Sequence, residues 1–149
     1  MSEHIVRLEW KAKEHPKQPG TYSRDHKGII SPEVTIPVSA APEYLGNRDL
    51  ADPEQLLVNA LASCHMLYFL AICEGSGYAV SAYEDEAVGK VSKSPEGAMW
   101  VSDIILHPKA VFSGEKQPDR ETLNRLHHRA HKGCFIANSI KCHVAIELN

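Results

Sequence analysis

Four cysteines, Cys64, Cys73, Cys134 and Cys142, and a run of histidines in LHHRAHKGC at positions 126–134 are the residues whose types can do chemistry. A thiol near an imidazole suits nucleophilic redox work or metal ligation, and a thiol packed away from water does neither. Four cysteines in a chain of 149 residues showing no secretory signal do not read as a disulfide framework. Redox chemistry, a metal site and inert core thiols are therefore the three readings to separate.

Spacing separates some of the cysteines. Cys64 and Cys73 fall in one apolar run, and nine residues at about 100° each put them on opposite faces of a helix, out of bridging reach. Cys73 reads as packing. Cys142 alternates with Val144, Ile146 and Leu148, so its thiol reads as a small core hydrophobe. Cys64 shares a helix face with Ala60, Leu61, Leu67, Tyr68 and Ala71, where a buried thiol is the bland reading. Ser63 and His65 argue otherwise, because polar atoms at that depth need partners or a cavity. Cys134 follows Gly133 and opens the turn CFIANS, whose free backbone N–H groups favour a thiolate.

Cys64, His65, His127, His131 and Cys134 also compose a candidate zinc set, since His127 and His131 are four apart on one helix face. Such a pair is more commonly a hydrogen-bonding feature, and no C-x-x-C accompanies it. A noncatalytic binding module is a third reading, and it requires both thiols to be unreactive.

The elements that must position these residues read as α+β. His4 to Ala12, Thr21 to Ile30 and Glu33 to Ser39 have strand character, the first two separated by Pro16, Pro19 and Gly20. Asp52 as N-cap, Pro53 at the first helical position and Glu54 in the first turn start a helix, which Gly75-Ser76-Gly77 ends. Val80 to Val91 and Met99 to Phe112 read as antiparallel strands around a Ser94–Gly97 turn. Asp119 caps a second helix with Leu123, Leu126, His127 and Ala130 on one face, Gly133 closes it, and Lys141 to Leu148 is the last strand.

One domain spanning residues 1–149 is expected from the length and the 43% hydrophobic content. Net charge is −3 with both signs interleaved, which offers no basic stripe for nucleic acid and no polybasic arm for a lipid surface. Leu56 to Cys73 is apolar, but Asn59, Ser63 and His65 interrupt it, so it reads as a buried helix and no membrane partner is expected. MSEHIVRLEWKAKE lacks the pattern of a secretory signal, which points to the cytoplasm.

PEQLL (53–57), ALASCHMLYFLA (60–71) and LHHRAHKGCFIANS (126–139) together resemble the osmotically inducible protein C and organic hydroperoxide resistance superfamily, with matching element order from about Thr21 to Leu148. The resemblance implies the OsmC-like fold: antiparallel sheets wrapped around two long central helices in an intertwined homodimer, with active sites at the interface. It also implies a peroxidatic Cys64 and a resolving Cys134, a Glu at Glu54 and an activating Arg at Arg24, with Arg48 and Arg7 as alternatives for the Arg. Hydroperoxide would turn Cys64 into a sulfenic acid, Cys134 would close the disulfide, and an external dithiol, such as a lipoylated protein, would reopen it without a bound cofactor. His65, Leu67, Tyr68 and Phe135 are the expected walls of an organic substrate pocket. His65 and the histidine-rich run depart from the hydroperoxide resistance branch.

Overall fold

The computed structural model describes residues 1–148 and divides the chain into two compact units, Met1–Leu56 and Leu57 onward. In the first unit, β1 (Arg7–Glu9), β2 (His26–Ile29) and β3 (Thr35–Val38) form an antiparallel sheet in that order. The strands are shorter than the sequence suggests. After Glu9 the ladder ends and the Trp10 indole N–H donates to the Ser23 carbonyl at 2.9 Å. Pro37, which has no N–H to give, is tolerated because β3 is a sheet edge. Val38 is buried here, and the buried Ser39 Oγ accepts the Asn47 N–H at 3.0 Å.

Helix α1 (Pro53–Gly75) starts on a reciprocal cap: Asp52 Oδ1 accepts the Gln55 N–H at 2.7 Å, and Gln55 Oε1 accepts the Asp52 N–H at 3.1 Å. It ends where Gly77 turns left-handed at φ +77°, letting the Tyr78 N–H reach the Cys73 carbonyl at 2.9 Å. Its length and composition would suffice to cross a membrane. Leu61, His65, Phe69 and Cys73, four residues apart, form its buried stripe.

Two long strands were expected in the second unit, and each is in fact broken in two. They are β4 (Ala79–Asp85) and β5 (Val88–Lys93), then β6 (Met99–Leu106) and β7 (Pro108–Ser113), with β5 pairing β6 and β4 pairing β7 antiparallel. The breaks face each other: Asp85 Oδ1 accepts the His107 N–H at 2.8 Å, His107 Nδ1 bonds the Glu86 carbonyl at 2.8 Å, and Pro108 opens β7. Helix α2 (Arg120–Gly133) starts on Asp119, whose Oδ1 accepts the Thr122 N–H at 2.7 Å. After a single turn at Ala137–Ser139 comes β8 (His143–Ile146), shorter than Lys141 to Leu148 and parallel to β6. That pairing corrects the wholly antiparallel expectation.

Two apolar clusters anchor α1 and α2. Leu61, Ile104, Leu106 and Cys134 form one, and Phe69, Cys73, Leu126 and Ala130 the other. Full burial of a side chain such as Leu61 or Phe69 contributes roughly 1.5–3 kcal/mol.

Candidate functional site

The first cluster brings together the two cysteines left over by the sequence. Cys134 is fully buried at the end of α2, and Cys64, half-buried on α1, packs against the same cluster. The two thiols are close enough for Cys64 to affect the Cys134 thiol. Burial foremost, and then the Cys64 thiol beside it, push the Cys134 thiol up, while the Ala137 N–H donating to its Sγ at 3.4 Å works the other way. All four thiols are free. Cys73 is the inert thiol expected, fully buried and pushed up to about 11 by desolvation, and burial also raises the half-buried Cys142.

The expected apolar walls distribute unevenly. Tyr68, one turn after Cys64, meets Phe135 edge-on with ring centroids 5.6 Å apart. Leu67 and Phe135 are 61% and 71% exposed in the chain. Gly133 is not a left-handed helix stop: a side chain there would come within 2.7 Å of the Tyr68 ring, so the glycine permits close approach of α1 to α2. His65 faces the core instead of a pocket. It is fully buried, and its Nε2 shares a 3.0 Å hydrogen bond with Nδ1 of the buried His127. The two rings are parallel within 3° and meet edge to edge, with centroids 5.3 Å apart, while Phe69 stacks on His127 at 4.0 Å. Desolvation, with His131 as a second influence on His65 and His65 on His127, lowers both to about 4. Burial lowers His131 as well.

This pairing escaped the sequence reading. The signal was present in the four-residue stripe Leu61, His65, Phe69, Cys73, which puts His65 on the core side of α1. Among the described residues, no three His, Cys, Asp or Glu side chains converge to hold a metal ion, so Cys64, His65, His127, His131 and Cys134 do not form one cage.

Arg24 lies in the first unit, where it lines a cavity of about 420 Å³ with His15, Asp25 and Arg48. Its guanidinium donates to Thr21 Oγ1 at 3.1 Å and to the Tyr22 carbonyl, and lies 4.1 Å from the centre of the Tyr22 ring. Arg7, the other alternative, pairs with Glu9 at 2.8 Å on the surface. Glu54, in the first turn of α1, has a buried Oε2 with no hydrogen-bond partner.

In this α+β chain a helix cysteine, Cys64, packs into one cluster with Cys134, the residue that ends the next helix. Residues 46–149 match the OsmC-like protein family, and the chain belongs to that family. An OsmC-like protein of unknown function from Vibrio cholerae O1 is 39% identical, with a TM-score of 0.93 and all of both chains covered. The organic hydroperoxide resistance protein OhrB of Bacillus subtilis shares the fold at 15% identity, with a TM-score of 0.69 over 99% of this chain and 98% of its own. YmaD, an uncharacterised protein of Bacillus subtilis, is 26% identical over 128 residues, 85% of each chain.

Proposed function

We propose that this chain is a cysteine-based peroxidase that reduces organic hydroperoxides. The observation carrying the proposal is that Cys64 packs against the cluster that holds the buried Cys134, with Cys64 the more exposed of the two. Cys64 thiolate attacks one peroxide oxygen, forming an S–O bond as the O–O bond breaks, and the alkoxide leaves as an alcohol after taking a proton. Cys134 then attacks the sulfenic sulfur, closing the disulfide and releasing water. An external dithiol, a lipoylated protein among the candidates, returns both thiols and is itself oxidised to a disulfide.

In this proposal Arg24 stabilises the thiolate and polarises the peroxide, and Glu54 orients its guanidinium. A buried carboxylate oxygen that lacks a donor, as Glu54 Oε2 does, suits that role. Leu67, Tyr68 and Phe135 receive the alkyl tail, favouring organic over hydrogen peroxide by about 0.8 kcal/mol per buried methylene. The working form is a cytoplasmic homodimer that needs no bound cofactor. OhrB, a hydroperoxide resistance protein by name, shares only the fold at this identity, so the chemistry rests on this chain's own thiols.

Titrating thiols before and after peroxide tests the reading. One equivalent of cumene hydroperoxide should consume two thiols per chain, Cys64→Ser should abolish the response, and Cys134→Ser should accumulate a sulfenic acid that dimedone traps. Undiminished peroxide consumption by Cys64→Ser would overturn the proposal, and equal rates with hydrogen peroxide would overturn the organic preference.

A further inference from the structure

The peroxidase reading gives no task to the histidines of α2. His127 and His131 lie one turn apart on one face of that helix, and together with Asn124 and His128 they line a cavity of about 290 Å³ whose other wall is Val144, Ile146 and Leu148. His127 Nε2 and His131 Nδ1 are both buried and both without a hydrogen-bond partner. Folded interiors leave few such nitrogens unsatisfied unless they serve water, an ion or a reaction.

One tautomer of His127 suits a ligand: with its single N–H on Nδ1, the atom that shares the 3.0 Å bond with His65 Nε2, the lone pair is on Nε2. His127 would then present a lone pair to the cavity and donate its other ring N–H to an acceptor fixed in the core. Metal-bound histidines share this arrangement: one nitrogen on the ion, the other holding the ring in place.

We propose that His127 Nε2 and His131 Nδ1 form a binding site for a divalent first-row cation that favours imidazole, Zn²⁺ foremost, with His65 as the positioning residue that orients His127. Because no third side chain of the described residues converges there, water completes the coordination, and the ion is exchangeable. The site is independent of the peroxidase reading, since it uses neither reactive thiol.

The test is calorimetric titration of ZnCl₂ into the full-length chain carrying Cys64→Ser and Cys134→Ser, which removes thiolate binding at that pair. One saturable site per chain is expected, weakened at least about tenfold by His131→Ala and by a comparable factor by His65→Gln. His127 is a core residue whose replacement could unfold the protein, so histidine-ring NMR of the otherwise intact chain supplies the second readout. Zn²⁺ should shift the His127 and His131 rings before those of His4, His15 or His26. No saturable binding, binding indifferent to His131→Ala, or first shifts on the other rings would overturn the proposal.

Discussion

Gly133 precedes Cys134, and its missing side chain is what lets the Tyr68 ring lie against the end of α2. Gly133→Ala would gain up to about 1 kcal/mol of helix propensity but must push Tyr68 aside, an overpacking cost of about 1–3 kcal/mol. A net loss of stability by urea unfolding is expected, with altered Cys134 reactivity toward a thiol reagent because Phe135 moves with Tyr68. An unchanged midpoint would refute the close-approach reading. From sequence, a glycine at a helix end reads as a left-handed stop, and only tertiary contact reveals the other use. The cysteines were more legible, because helical and strand periodicity alone marks Cys73 and Cys142 as packing. The contact of His65 with His127 was not legible, since periodicity tells which face is buried and not what that face meets.

At the scale of elements, legibility followed how local the determinants are. The start of α1 could be read directly from the neighbours Asp52, Pro53 and Glu54, and the structure adds the return bond from the Asp52 N–H to Gln55. The breaks at Glu86–Ala87 and His107 depend on a contact between strands, and the parallel pairing of β8 with β6 depends on where α2 returns the chain. Alternation in the sequence runs through both. Helix α1 also bears on assembly: it is apolar on nearly every side, yet Leu67 and Ala71, one turn apart, stay exposed in the single chain. A helix hydrophobic all round belongs in an interior. The proposed homodimer supplies one, so sedimentation should report twice the chain mass, and Ala71→Glu, which would place a charge in that interface, should shift the equilibrium toward monomer. A wild-type monomer at all concentrations would remove the dimer from the proposal.

Across the whole molecule, the His65, His127 and Phe69 side chains tie α1 to α2, and burial favours the neutral form of both imidazoles. Each histidine is lowered from 6.5 to about 4 in the folded chain, by burial first. The unfolded chain therefore binds more protons between those values, and stability must rise with pH there. The histidines' contribution is complete above pH 6.5 and is lost as pH falls toward about 4, at a slope of up to about 1.4 kcal/mol per pH unit for each ring. Carboxylates also take up protons at the acid end of this range, so the comparison that isolates the pair is with His65→Gln, which keeps a hydrogen-bonding side chain but removes one titrating ring. Urea midpoints measured in a chelating buffer from about pH 7.5 down to about pH 4.5 should fall more steeply for the natural chain than for the variant. Parallel curves would mean that the rings protonate without opening the contact between the helices, and that the two imidazoles do not hold α1 and α2 together.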